Sequence, residues 1–216
     1  MATLRDRLRA LPSIVGSPPS SLEHPAPSRP DTFFMEWLTD AIDAEISEPH
    51  AITLCTVDSA GRPDARVLII KDVSRDGIEI GISGHSPKAM QMARSPHVAL
   101  SWYASPHARA VRIRGVARRA DSTVEKADWE ARGLSAKAIA LAGKQSTPFE
   151  GDRVPLIKAK EEELAGGSVQ VSMDWQVWRI SLDEVEFWQG AKSRNHDRVK
   201  YTKVGDYTWD CVPLWP

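Results

Sequence analysis

The side chains best suited to chemistry are concentrated in residues 185–201, VEFWQGAKSRNHDRVKY. Arg194, His196 and Arg198 occur at alternate positions after Trp188, and this alternation predicts a strand that carries all three on one face. Three groups that are cationic, or can become so, repel one another unless an anion lies between them. Since Trp188 adds a flat apolar surface, the segment predicts a site for an anionic ligand, with His196 as a possible general acid or base. A solvated face is the alternative.

Two segments further upstream also have the composition of anion sites. In SPKAMQMARS, Ser86 is predicted to begin a helix whose first turn contains Lys88, so free backbone N–H groups, the helix dipole and an ammonium would converge. In ARVLIIK, Arg66 and Lys71 stand at the two ends of an apolar strand that could line a flat ligand. Each segment also has a simpler interpretation: a capped helix with a solvated lysine, and a buried strand with charged ends.

Neutral polar groups add candidate binding residues, and missing motifs exclude several kinds of active site. Residues 143–147, GKQST, supply Gln145 and Ser146, which suit the edge of a heterocycle or a phosphate oxygen, although a polar loop is the alternative. His196 has no HxxxH or cysteine partner, so no metal site is predicted. The sequence also has no GxSxG, Walker A or GxGxxG pattern, the signatures of serine hydrolases, P-loop NTPases and dinucleotide-binding folds.

Composition excludes several broad classes of protein. The 216 residues include 28 Lys and Arg against 29 Asp and Glu, so the chain is not a basic nucleic-acid binder and any anion site must be local. Cys55 and Cys211 lie far apart and indicate neither a disulfide framework nor a zinc site. Because no apolar run approaches the roughly 18 residues of a membrane span, and no signal-peptide core is present, we expect a soluble cytoplasmic protein.

The elements that must position these residues are mostly short strands. Residues 1–30 are predicted to form an extended arm rich in Pro and Ser, and residues 31–216 one domain that begins with a helix capped by Asp31. Hairpin-linked strands follow, and helical periods begin near Asp121 and Val154. The pattern predicts a mainly β, α+β fold, an antiparallel β-barrel with peripheral helices, and argues against a βαβ fold.

Five segments together resemble one known family. They are TLCTVDSAGRPDARVLIIKDV, SPKAMQMARSPHVALSWY, VRIRGVARR, GKQS and the C-terminal motif VEFWQG followed by R.HDR, in the family's order over roughly residues 31–201. The resemblance is to the pyridoxamine 5′-phosphate oxidase family, whose members are FMN-dependent enzymes that make pyridoxal 5′-phosphate. It implies an FMN-binding split β-barrel and a homodimer with FMN at the subunit interface.

The resemblance also implies the roles of individual residues. Lys71, which would also contact the substrate, belongs to the implied FMN site, and Gln145, Ser146, Trp188 and Arg198 would reach the flavin from the partner subunit. The full implied FMN set is Arg66, Val67, Leu68, Ile69, Lys71, Ser86, Lys88, Gln145, Ser146, Trp188 and Arg198. The implied substrate set is Lys71, Arg132, Arg194 and His196, of which the last two would be catalytic in clamping the substrate over the flavin.

The implied reaction is oxidation of pyridoxamine or pyridoxine 5′-phosphate, with O2 as acceptor and H2O2 as product. Hydride would pass from the C4′ carbon of the substrate to flavin N5. The chain departs from the family pattern at Ala110, Asp128, Ala136 and Asn195, and its tail reads CVPLWP. These departures leave two alternatives open: an FMN-dependent oxidase of the same fold with another substrate, as in the phenazine-biosynthesis branch, and a flavin-binding protein without oxidase turnover.

Overall fold

The computed structural model describes residues 2–15, 22, 26–143, 145–166 and 174–216. Its helices are α1 (Leu4–Arg9), α2 (Pro30–Asp43), α3 (Pro87–Arg94), α4 (Ser122–Ala131), α5 (Leu134–Ala142) and α6 (Val154–Ala165), with a 3-10 turn at Ser105–His107. Its strands are β1 (Ala51–Val57), β2 (Pro63–Ser74), β3 (Gly77–Ser83), β4 (His97–Ala104), β5 (Arg109–Arg119), β6 (Trp175–Ile180), β7 (Glu184–Gln189), β8 (Asp197–Gly205) and β9 (Thr208–Pro213).

The strands form an antiparallel barrel that is closed and then extended. Strand order is β4-β1-β2-β3-β6-β5-β7-β8-β9, and a further pairing of β4 with β5 closes the first six strands into a ring. Strand β5 pairs along one edge with β4, while its other edge is divided between β7 at Arg109–Arg114 and β6 at Ala117–Arg119. The predicted antiparallel split barrel with peripheral helices is confirmed.

The division of β5 requires a glycine at residue 115. The chain that links β6 to β7 crosses here, where Ser181 donates its backbone N–H to the carbonyl of Val116 at 3.0 Å. A Cβ atom on Gly115 would lie only 1.7 Å from the carbonyl oxygen of Ser181. Since no larger residue fits without moving this backbone, Gly115 allows one strand to serve both the barrel and its extension.

The core follows the period-2 pattern of the strands. Alternate residues of β1 and of β5 are buried, as their sequence alternation predicts. Helix α2 packs on β7, where the ring of Phe33 stacks on Phe187 at 4.3 Å and Trp37 meets the same ring edge-on at 5.2 Å. Of the eight tryptophans, Trp37 and Trp102 therefore have packing roles, as the simpler interpretation expects.

Three local expectations need correction or completion. Helix α2 is capped by Arg29 with Pro30 in its first turn, so the predicted cap at Asp31 is wrong, and Asp31 instead pairs with Arg29. The helical period after Asp121 breaks into two helices at Arg132. Residues 16–21 and 23–25 of the predicted arm lie outside the described residues. Leu22 is buried in the core, and the division of the chain at residue 30 stays a prediction.

Candidate active site

A cavity of about 590 Å³ lies between β2, the start of α3, and helices α5 and α6. One wall is the exposed face of β2, where Val67 is 66% exposed and Ile69 is 36% exposed, although both are large apolar side chains. The opposite wall adds Ile139, Phe149 and Leu156. The cavity collects eight of the residues predicted for the site: Val67, Leu68, Ile69, Lys71, Lys88, Arg132, Gln145 and Ser146. Apolar walls with a few charged groups at the ends suit a planar anionic ligand.

At one end of this first cavity, called the Lys88 end, the side chain of Lys88 is only 5% exposed. Its Nζ donates a hydrogen bond of 3.0 Å to the amide oxygen of Gln145. Burial is the main cause that lowers the pKa of Lys88, and the nearby positive charge of Arg66 lowers it further, while Asp64 opposes the shift. An anion that enters the cavity would stabilise the charged form of Lys88 and raise its pKa.

Ser86 and Arg66 support the Lys88 end without lining the cavity. The backbone of Ser86 begins α3 as predicted, but its hydroxyl donates to the carbonyl of Ser83 at 2.7 Å and does not cap the helix. The guanidinium of Arg66 pairs with Asp64 and donates to Thr56 Oγ1 at 2.5 Å. In the chain as it stands, both side chains are therefore engaged by neighbouring protein groups.

Gln145 and Ser146 line the same cavity as Lys88 within one chain. The resemblance implies that these two residues reach the flavin from the partner subunit. Lys88 and Gln145 are joined by a hydrogen bond, so these two side chains meet at the Lys88 end within one chain. Which subunit's flavin Gln145 and Ser146 would contact in a dimer stays a prediction.

The other end of the first cavity, called the Lys71 end, contains the carboxylate of Asp128, one of the positions at which the chain departs from the family pattern. Asp128 on α4 lies 3.3 Å from the Nζ atom of Lys71 and accepts a hydrogen bond of 2.7 Å from the indole N–H of Trp175. The guanidinium of Arg132 lies over the ring of Trp175 at 3.8 Å. Burial lowers the pKa of Arg132, and the charge of Asp128 partly opposes this shift.

A second cavity of about 620 Å³ contains Trp188, Arg194 and His196. Tyr103, Ser105 and residues 12–15 of the N-terminal segment complete its lining. The rings of Trp188 and His196 are 4.9 Å apart, and the backbone N–H of Ala191 donates to His196 Nδ1 at 3.0 Å. The Nε2 atom of a neutral His196 therefore carries its proton. The two cavities share no lining residue.

The predicted alternation of three cationic groups along one strand is wrong. Strand β8 begins only at Asp197, and Arg194 has a left-handed backbone with φ of 66° in the turn that precedes it. This turn is closed by a hydrogen bond of 2.9 Å from the N–H of Arg194 to the carbonyl of Ala191. His196 and Arg194 still meet in one cavity, but through the turn and not through strand periodicity.

Arg198 is on β8, where it pairs with residues of the same chain. Its Nε and Nη2 atoms donate to Glu186 Oε1 at 3.0 and 2.6 Å, and Nη1 donates to the backbone oxygen of Trp215 at 3.0 Å. Arg198 does not line the second cavity. Its predicted contact with FMN stays a prediction, and the tail that departs from the family pattern is what holds one of its nitrogens.

Comparison with known proteins identifies the family. Residues 38–166 match the family model described as pyridoxamine 5′-phosphate oxidase, and residues 175–216 match the pyridoxine 5′-phosphate oxidase C-terminal dimerisation region. The chain belongs to the pyridoxamine 5′-phosphate oxidase family. The expectation of an oxidoreductase of this family is confirmed, and the match to the dimerisation region supports a homodimer.

The relatives differ in the compounds that their names record. The pyridoxine/pyridoxamine 5′-phosphate oxidase of Alteromonas mediterranea is 35% identical over 194 residues, which cover 88% of this chain and 90% of that protein. The enzyme of the same name from a Janthinobacterium species is 35% identical over 185 residues, 85% of this chain and 87% of that protein. PhzG from Burkholderia lata 383, solved in complex with tetrahydrophenazine-1-carboxylic acid, has a TM-score of 0.84 at 25% identity and covers 93% of this chain and 100% of its own.

Two possible features have no support in the described residues. No group of three or more His, Cys, Asp or Glu there could hold a metal ion. None of the helices in the described part of the chain combines the length and apolarity that crossing a membrane requires.

Proposed function

We propose that the protein binds FMN in the first cavity and oxidises a small planar ring substrate, with O2 as the acceptor and H2O2 as the product. The observation that carries the proposal is the Lys88 end: a buried ammonium with a neutral partner, at the first turn of α3, beside an exposed apolar strand. A phosphate needs the first feature and a flat ring needs the second. FMN has both groups, and it would supply the capacity to accept a hydride.

The residues of this chain have separable roles in that proposal. Lys88 would hold the phosphate of FMN, and its pKa, lowered by burial, would rise when the anion binds. Val67 and Ile69, which are exposed in the single chain, would lose their contact with water against the flavin ring. Gln145 would offer its amide to the phosphate or to the ring edge once Lys88 turns to the anion.

The second cavity of one chain would complete the first cavity of the other. Support comes from its composition, because Trp188, Arg194 and His196 all lie within residues 175–216, the match to the dimerisation region. These groups line no part of their own chain's first cavity. In a two-fold dimer each partner supplies the same surface to the other, so two equivalent sites would form. Arg194 and His196 would then orient the substrate over the flavin.

Two substrates deserve testing. Pyridoxine 5′-phosphate is favoured by the named relatives at 35% identity and by the presence of Lys71 and Arg132. A ring without a phosphate is favoured by Asp128, whose carboxylate already pairs with Lys71. PhzG, which is similar in structure, was solved with a ring that carries a carboxylic acid. The oxidase reaction is common to both candidates.

The proposed function is tested by flavin content and by anaerobic reduction. The purified protein should be yellow, release FMN on denaturation, and retain FMN when the stripped protein is reconstituted. Anaerobic mixing with each candidate substrate should bleach the flavin absorbance, and admission of air should restore it and produce H2O2. A colourless protein that does not take up FMN contradicts the proposal, and reduction without reoxidation in air contradicts the oxidase part of it.

The shared site is tested by mixing subunits. Coexpressed chains bearing Lys88→Met and Arg194→Ala form hybrid dimers in which one site carries both changes and the other carries neither. Random pairing makes half of the dimers hybrid, so the mixture should recover about one quarter of wild-type activity. If each site were built within one chain, every site would carry a defect and the mixture would be no more active than the separate variants.

A further inference from the structure

The Lys71 end of the first cavity is organised by a carboxylate that does not itself line the cavity. Asp128 lies behind two wall residues and contacts both: Lys71 Nζ at 3.3 Å and Trp175 Nε1 at 2.7 Å. Its side chain is only 15% exposed. Trp175 in turn places its ring under the guanidinium of Arg132 at 3.8 Å. One carboxylate therefore fixes both cationic groups of this end, one directly and one through the indole ring.

Close packing holds Asp128 in this position. Gly81 on β3 faces the pair from the barrel, and a Cβ atom there would lie 2.6 Å from Trp175 Cζ2 and 3.0 Å from Asp128 Oδ2. The absence of a side chain at residue 81 leaves the space that the indole ring and the carboxylate occupy. Because the hydrogen bond from Trp175 fixes one carboxylate oxygen, the other is directed to Lys71, and the pair is not a chance contact of two flexible surface chains.

Asp128 reduces the positive charge at this end. Lys71 and Arg132 are the cationic groups that it holds, and it cancels one of their two charges; Lys88 and Arg153 also line the cavity. Ala136 has no hydroxyl to donate, and its carbonyl takes a hydrogen bond of 3.2 Å from Arg132 Nη2. The Nε atom of Arg132 is buried without a hydrogen-bond partner in the described part of the chain. A phosphate monoester carries roughly −1.5 to −2 at neutral pH, whereas a carboxylate carries one charge.

We propose that Asp128 is a specificity-determining residue, which makes the Lys71 end select a planar ring with one negative charge or none over the same ring with a phosphate. The proposal rests on the proposed function, because the ring must bind beside FMN. Asp128 acts through charge: it holds Lys71 in an ion pair, so a dianion must compete with a fixed carboxylate for the same ammonium. Replacing the carboxylate by an amide of equal size should release Lys71 for phosphate.

The test compares two probes that differ only in the phosphate, pyridoxine and pyridoxine 5′-phosphate. Their dissociation constants are measured on the FMN-loaded dimer from the change in the flavin spectrum. In the wild type the phosphate should not improve binding, so pyridoxine should bind at least as tightly as pyridoxine 5′-phosphate. In Asp128→Asn, whose amide oxygen can still accept from Trp175, the ratio of the two constants should shift at least tenfold in favour of the phosphate. Glu130→Gln is the matched control on α4, since Glu130 is exposed and pairs only loosely with Lys126 at 3.8 Å. Its ratio should equal that of the wild type.

The outcomes separate this proposal from the proposed function. FMN content, read from the absorbance of each purified protein, reports on the proposed function alone. If Asp128→Asn retains FMN and its ratio is unchanged, the role of Asp128 is refuted while FMN binding stands. A wild-type preference for the phosphorylated probe would refute it equally, because the Lys71 end would then accept a dianion with Asp128 in place.

Discussion

The two ends of the first cavity each present a lysine, but the neighbours of the two lysines are of opposite kinds. Lys88 is 5% exposed, and its hydrogen-bond partner is the uncharged amide of Gln145 at 3.0 Å. The side chain of Lys71 is 30% exposed and faces the carboxylate of Asp128 at 3.3 Å. The same side chain is thus bonded to a neutral amide at one end and paired with a carboxylate at the other.

This difference indicates that the two ends of the cavity have different functions. A buried ammonium without a carboxylate costs free energy in the empty protein and recovers it when an anion binds. An ammonium already paired with a carboxylate gains much less from a second anion, because the first must be displaced or shared. The Lys88 end is therefore suited to binding a phosphate, and the Lys71 end to discriminating among ring substrates by charge.

The largest expected effect is on FMN affinity at the Lys88 end. Lys88→Met should weaken FMN binding roughly 10- to 100-fold, the range for loss of one charge-assisted hydrogen bond of about 1.5–3 kcal/mol. Lys71→Met, the matched change at the other end, should weaken it no more than about threefold. Titration of stripped protein with FMN, followed by flavin fluorescence, measures both. Equal losses of FMN affinity in the two variants would contradict the assignment of FMN phosphate binding to the Lys88 end.

The second effect concerns the second cavity, whose groups should act on the substrate and not on the cofactor. Arg194→Ala should lower kcat/KM for the substrate roughly 10- to 100-fold, because it removes one cation from the ring-binding face. FMN affinity should change less than threefold. Arg194→Lys should recover part of kcat/KM, since charge is restored without the planar fork. Loss of FMN in parallel with loss of turnover would assign Arg194 to the flavin instead.

Local patterns predicted the parts of this site that depend on local structure. The sequence predicts a helix start at Ser86 and Lys88 because Pro87 and the following helical period are adjacent to them. The strand wall at Val67 and Ile69 followed from a run of apolar, β-rich residues. The barrel itself was predicted because hairpin-linked strands leave few other ways to pair.

Contacts between distant residues could not be predicted in the same way. The pair of Lys71 and Asp128 joins residues from a strand and a helix that only the closed barrel brings together. The left-handed backbone at Arg194 could not be predicted either. This conformation is most frequent at glycine and asparagine, but here Arg194 adopts it and the adjacent Asn195 does not. The family resemblance identifies residues of the site one by one. It does not show that Asp128, where the chain departs from the family pattern, pairs with Lys71, where the chain matches it.

The smallest effect is on the stability of the protein without FMN, and its sign should reverse between the two ends. Lys88→Met should raise the free energy of unfolding by about 1 kcal/mol near neutral pH, because a costly buried charge is removed. Lys71→Met should lower it by about 1 kcal/mol, because Asp128 loses its ion pair. Urea unfolding of both stripped variants beside the wild type measures the difference.

The pH dependence of that difference identifies Lys88 as its source. The folded-state pKa of Lys88 is lowered by burial and by Arg66, so between this pKa and the ordinary lysine value of about 10.4 the folded wild type binds fewer protons than the unfolded chain. Wild-type stability therefore gains from Lys88 as pH rises through this window, and the advantage of Lys88→Met should shrink there. An advantage that stays constant up to pH 10 would mean that side-chain packing, and not the buried charge, stabilises the variant.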